Sequence, residues 1–77
     1  MTTIHYEYSL SILTKCGLTQ VAYEAEVIAL LTQKYPGATI EIALGNDTFA
    51  TSDEMRISDA DIITVADNAM GELCSIS

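Results

Sequence analysis

Alternation over residues 4–12 constrains this chain more than any other feature. Ile4, Tyr6, Tyr8, Leu10 and Ile12 alternate with His5, Glu7, Ser9 and Ser11. Successive side chains of a strand point to opposite sides, so a period of two over this stretch predicts a strand with one buried face. The "TKCG" of Thr14 to Gly17 then reads as a turn. The next segment, "LTQVAYEAEVIALLTQKYPG", has two halves. In the second, Val27, Leu30, Leu31 and Tyr35 fall on one helical stripe that Pro36 and Gly37 stop. The first half is open to two readings. Thr19 caps a long helix from Gln20, or Thr19, Val21 and Tyr23 alternate with Gln20, Ala22 and Glu24 as a second strand hairpinned to the first. The strand is preferred, because a helix from Gln20 carries a second apolar stripe, Val21, Ala25 and Ile28, and becomes apolar nearly all round.

"TIEIAL" alternates again, with Ile40, Ile42 and Leu44 inward and Glu41 and Ala43 outward. "GND", Gly45 to Asp47, is turn chemistry between two strands. "TFAT" is a short returning strand and "SDE" a polar link. The last stretch, "SDADIITVADNAMG", also has two readings. As a helix, Ser58 is its cap with Asp61 completing a capping-box variant, and Ile62, Ala66, Ala69 and Leu73 face the core. As a strand, Ile63 and Val65 point inward while Ile62 and Thr64 point outward. The run Ile62-Ile63-Thr64-Val65 is β-branched throughout, which strands favour and helices tolerate poorly. The strand is preferred here as well.

Together these elements predict an α+β domain, a mixed sheet with one main helix. The alternative is a βαββα order with an acidic C-terminal helix. A length of 77 residues predicts one domain, residues 1–71, with residues 72–77 as a C-terminal tail. Hydrophobic residues make up 49% of the chain and charged residues 18%, which favours a packed domain over disorder. Eleven acids face three bases, Lys15, Lys34 and Arg56, for a formal charge of −8. Three bases cannot form a phosphate-binding patch, so direct contact with nucleic acid is not expected. The start of the chain shows no signal-peptide pattern, and its longest apolar run, "VIALL", is too short to span a bilayer. Both point to the cytoplasm and away from membranes, and in that setting Cys16 and Cys74 are read as free thiols.

In "EVIALLTQKYPG" and "LGNDTFATSDEMRISDADIITVADNAMG" the strand reading resembles the β-grasp (ubiquitin-like) fold, and within it the molybdopterin-synthase small subunit and ThiS sulfur carriers. The resemblance implies a carrier terminus at Gly71. Six residues follow that glycine, so carrier chemistry requires cutting after it. Ala60 stands where this family has a turn glycine, and Met70 where it has the first of two terminal glycines. In "LLTQKYPGATIEIALGND" followed by a helical "SDADIITVADNAMGEL", the chain is also similar to the DinI family of small acidic regulators, without that family's tryptophan. This second resemblance implies a strand after a helix ending in Tyr-Pro, then an acidic C-terminal helix.

Candidate sites are few. His5, beside Glu7, reads as a solvated surface histidine, because no nucleophile motif supports a triad. Asp53, Glu54, Asp59 and Asp61 lack the spacing of a calcium loop and read as a solvated acidic stretch. Cys16 follows Lys15 without a CxxC partner. No phosphate loop, zinc pattern or paired-carboxylate signature is present, so neither an enzyme nor a cofactor or metal is expected. Acidity is the strongest functional clue. From Glu41 onward the chain carries Glu41, Asp47, Asp53, Glu54, Asp59, Asp61, Asp67 and Glu72 against Arg56 alone. The expected function is a non-enzymatic module that docks on a basic surface of a larger protein, in its sharpest form an inhibitor of a nucleic-acid-binding site. The expected contact residues are Glu41, Ala43, Asp53, Glu54, Asp59, Asp61, Ile62 and Thr64, with Ile62 beside Ala43 as an apolar centre. The second class of function is a sulfur carrier or protein modifier activated at Gly71. The second apolar stripe of the helix region leaves a homodimer open.

Overall fold

The structure, a computed structural model, describes residues 2–15 and 17–76, the last two without their side chains. It is the small α+β fold expected, built from three strands and three helices. Strand β1 (Thr3–Ser9) buries Ile4, Tyr6 and Tyr8 and leaves Thr3, His5, Glu7 and Ser9 on the opposite face, as its alternation dictates. The strand ends sooner than the alternation does. Leu10–Lys15 form a short helix, α1, which brings Leu13 into the core and leaves Leu10 exposed. Gly17 follows in the left-handed conformation, and the Leu18 N–H donates to the Leu13 carbonyl, the hydrogen bond that typically closes a helix on a glycine.

Helix α2 (Gln20–Lys34) occupies the segment preferred as a second strand. One local contact and one demand of core packing decide this. Thr19 is extended and its hydroxyl oxygen accepts the Ala22 N–H at 3.2 Å, a normal N-cap. Helical spacing also carries Tyr23, Val27 and Leu31 together into the core, whereas a strand breaks that series after Tyr23. The consequence foreseen for a helix also holds: Val21 is 80% exposed. Pro36 and Gly37 end the helix where expected, with the Tyr35 N–H donating to the Leu31 carbonyl.

Strand β2 (Thr39–Gly45) runs parallel to β1, in the register Thr3–Thr39 to Ser9–Gly45. Strand β3 (Phe49–Ser52) runs antiparallel to β1 on its other side, so the order is β2-β1-β3. The hairpin-like pairing expected across Gly45–Asp47 is absent. A helix between two strands makes them parallel neighbours, and β3 takes the remaining edge of β1.

Helix α3 (Asp59–Ile76) replaces the predicted final strand and continues through residues 72–76, read as tail. Ser58 caps it: its hydroxyl oxygen accepts the Asp61 N–H, and its carbonyl the Ile62 N–H. The β-branched run yields to the longer-range pattern, because a helix buries Ile62, Val65, Ala66 and Ala69 at once while a strand buries Ile63 and Val65. Thr64 adapts in the usual helical way, donating its hydroxyl to the Ala60 carbonyl at 2.8 Å. The long helices pack on each other, α2 over β2 and α3 over β3. The long elements follow the βαββα order. Cys74, read as a free thiol, is disulfide-bonded and half-buried on α3. A helix that continues past residue 71 holds it against the domain instead of in a tail. The reading of Cys16 lies outside the described residues.

Aromatic packing organises the core. The Tyr6 and Tyr23 hydroxyls meet at 3.0 Å, Tyr8 donates to the Glu24 carboxylate, and the Tyr8 and Tyr23 rings meet edge-on at 5.0 Å. Burial, reinforced for Tyr8 by the Glu24 carboxylate and for Tyr23 by Tyr6, raises the pKa of all three phenols above the usual value. In the unfolded chain they lose their protons near pH 10, while in the folded chain they keep them. The unfolded state then binds fewer protons, so this contribution to stability is complete below about pH 10 and is lost as pH rises beyond it. Base titration is expected to show Tyr6, Tyr8 and Tyr23 ionising together with loss of helical circular dichroism. Phenolate absorbance from all four tyrosines appearing before any loss of helix would contradict it.

Candidate functional site

The expected contact residues do not form one surface. Glu41 and Ala43 lie on the face of the sheet away from the helices, in register with His5 and Glu7. Ile62 is fully buried beneath α3, on the other side of the sheet, and Thr64 is exposed on α3. No Ile62–Ala43 apolar centre exists, because the helix turns Ile62 inward where the strand turned it outward.

Asp53 is exposed but committed: its Oδ1 accepts the Thr3 N–H at 2.8 Å, and its own N–H donates to the Thr3 carbonyl. These bonds tie the end of β3 to the start of β1. Glu54, half-buried, donates its N–H to the Ser52 hydroxyl, and its Oε1 accepts the Arg56 N–H at 3.5 Å. Asp59 and Asp61 occupy the first turn of α3, where the positive end of the helix dipole stabilises each by about 0.3–1 kcal/mol. Four of the predicted contact acids thus have a structural use. Among the described residues, no group of three or more His, Cys, Asp or Glu is placed to hold a metal ion.

The open sheet face centres on His5. Its Nδ1 stands 3.7 Å from Glu41 Oε1 and its Nε2 4.0 Å from Glu7 Oε1, and its ring lies 6.0 Å from that of Phe49. The surface histidine is therefore held between two carboxylates. Phe49, paired with Glu7 across β3, leaves an aromatic edge there.

A different site emerges between the two long helices. A cleft of about 620 Å³ runs between Leu30, Gln33 and Lys34 of α2 and Thr64, Asp67, Asn68, Gly71 and Glu72 of α3. Gly71 stands inside the helix, with open space where a side chain would project. At the cleft the Glu26 carboxyl of α2 meets the Glu72 carboxyl of α3. Their hydrogen bond, then desolvation and the Glu72 charge, raise the Glu26 pKa above the ordinary carboxylate value. Two carboxyls share a proton most readily when held together in this way. Helix α3 has no basic residue, and its acids continue to Glu72, toward the end where the dipole favours cations.

Sequence reasoning counted Asp67 and Glu72 among the acids but missed the α2 side of this cleft. Glu26, Leu30 and Gln33 follow at i, i+4 and i+7, a face that becomes visible once Thr19 is taken as the helix cap. Among the described residues no helix is long and apolar enough to cross a membrane. Comparison with protein-family models, with curated proteins and with solved structures finds no match.

Proposed function

We propose that this chain is a non-enzymatic acidic module whose α2–α3 side docks on a basic surface of a larger protein. In its sharpest form it is an inhibitor that occupies a nucleic-acid-binding site. The observation that carries this reading is a last helix with no basic residue, whose acids run from Asp59 to Glu72 toward the end where the dipole favours cations. Glu72 lies near the negative end of α3 and against Glu26, and Asp67 stands on the same wall. A helix selected for stability places Lys or Arg there. A site that departs from the local optimum in this way is commonly one kept for binding. A helix ending at Tyr35-Pro36, a strand after it and an acidic last helix are also what the resemblance to the DinI family implies. The carrier reading draws less support, since Gly71 lies within α3 and not at an extended end.

The test separates binding from folding. Asp53, Asp59 and Asp61 are left intact for their structural contacts, and Glu26→Gln, Asp67→Asn and Glu72→Gln are combined. The folded fraction is expected to be unchanged or higher at neutral pH, because a carboxyl pair is relieved. Tagged protein, incubated with extract of its source cell, is expected to capture a basic nucleic-acid-binding protein. Capture should fall about tenfold or more with the triple variant, and with added salt or competing nucleic acid. A partner retained equally by the variant and at high salt would refute an acid-driven dock. Bait cut after Gly71 and bound to an adenylating enzyme would restore the carrier.

A further inference from the structure

Gly71 lies inside α3, which continues for five residues beyond it. A glycine within a helix is less stable than any residue but proline, because it loses the most backbone freedom on folding. Nothing in the fold requires one at this position. Its φ is not positive, unlike those of Gly17 and Gly37. A Cβ built there would meet nothing within 4 Å, so no close approach among the described residues excludes a side chain.

The space left open belongs to the cleft between α2 and α3. Helical side chains lean toward the N-terminus, so a side chain at 71 would cover the turn before it. Asp67 and Asn68, four and three residues back, stand in that turn, and both are exposed. Half-buried Leu30 of α2 and buried Val65 of α3 give the cleft an apolar strip. Its acceptors are the carboxylates of Asp67 and Glu72 and the amide oxygens of Gln33 and Asn68. Lys34 is the one cation among its lining residues. The Lys34 Nζ stands 5.6 Å from the centre of the Tyr35 ring, and Tyr35 lines the neighbouring groove with Pro36 and Ile57. We propose that this cleft takes an arginine side chain of the basic partner, its stem on Leu30 and Val65 and its guanidinium in the space at Gly71.

This inference rests on the docking reading and names the group that docks. Arginine fits the cleft better than lysine. Its guanidinium is planar and donates from five N–H groups in a fixed fork, which suits acceptors spread over two walls. A flat group also enters a gap that one missing side chain leaves. The lysine ammonium is compact and strongly hydrated, and it leaves more of these acceptors without a donor. Either cation is drawn by charge, but only the fork uses the amide oxygens and the carboxylates together. The guanidinium also brings positive charge to the place where the Glu26 and Glu72 carboxyls meet.

Titration of the intact chain with hexa-arginine and hexa-lysine peptides, equal in charge, tests it at about 0.15 M salt. Hexa-arginine is expected to bind about tenfold more tightly, with NMR amide shifts centred on Gln33, Asn68 and Gly71. Gly71→Leu fills the gap without touching an acid. It is expected to weaken hexa-arginine about tenfold, to leave hexa-lysine within about twofold, and to raise the melting temperature by about 2–8 °C. A residue that serves the fold alone would not lose affinity while the fold gains stability. Equal affinity for the two peptides, a loss shared equally by both, or an arginine affinity indifferent to Gly71→Leu would overturn the proposal. The combined Glu26→Gln, Asp67→Asn and Glu72→Gln variant keeps the two readings apart. If it loses both peptides while Gly71→Leu loses neither, the acidic dock stands and the arginine site falls. If it keeps both, the docking reading itself fails.

Discussion

Tyr23→Ala is expected to bring the protein to the edge of unfolding at room temperature. Tyr23 is 1% exposed, sits in the first turns of α2 and meets both Tyr6 and Tyr8. Removing a buried aromatic ring costs about 3–5 kcal/mol. It also leaves the Tyr6 hydroxyl buried without Tyr23, which adds about 1–3 kcal/mol. A domain of this length holds only about 4–11 kcal/mol in total. Tyr23→Phe isolates the second contribution, since the ring stays and only the hydroxyl goes. Its cost should be about 1–3 kcal/mol, and much of that should be recovered when Tyr6→Phe removes the stranded partner as well. Urea denaturation of the four proteins, followed by circular dichroism, measures the whole cycle. An unchanged midpoint for Tyr23→Ala would mean that the start of α2 is not anchored through this ring.

Ile62 and Thr64 give the second large contrast. In a strand the two share a face, whereas in α3 Ile62 is fully buried and Thr64 is exposed. Ile62→Ala is expected to cost about 2–5 kcal/mol, and Ile62→Asp to unfold the chain, because a carboxylate at a fully buried position loses its hydration. Thr64→Ala should stay within about 0.5 kcal/mol, as exposed substitutions usually do. Equal tolerance at the two positions in thermal melts would count against the helix. The comparison is also functional. Ile62 was expected at a contact surface, and a variant there that abolishes binding does so by unfolding.

Several parts of this outcome were legible in the residues. The alternation of Ile4, Tyr6 and Tyr8 specified β1 and its buried face, because one period matched and no helical period competed. Tyr35-Pro36-Gly37 marked the end of α2, and "TIEIAL" and "TFAT" marked β2 and β3. Other parts resisted. For residues 19–24 and 62–67 both periods fit locally, and intrinsic preference pointed to strand. Strand preference is a statement about a half-buried pleated surface, and there the surface available was the apolar sheet face above β2 and β3, which needs helices to cover it. The same misreading displaced the candidate site. With residue 62 turned outward and the first turns of α2 left as strand, Glu41, Ala43, Ile62 and Thr64 seemed to share one surface. The meeting of Glu26 with Glu72 could not be seen.

By itself, then, the sequence determined a small acidic α+β domain, its central strand, the stop at Pro36 and the excess of carboxylates in its second half. These depend on local period, turn chemistry and composition, which are properties of short stretches. Tertiary structure alone decided the strand order, the helical state of the two ambiguous segments, the bonding of Cys74 and the partition of the acids into Asp53, which ties β3 to β1, those in the first turn of α3 and those that line the cleft. Each of these depends on which residues distant in the chain become neighbours. That choice is made by burying the largest apolar area at once: Ile62, Val65, Ala66 and Ala69 together outweigh the β-branched preference of any four consecutive residues.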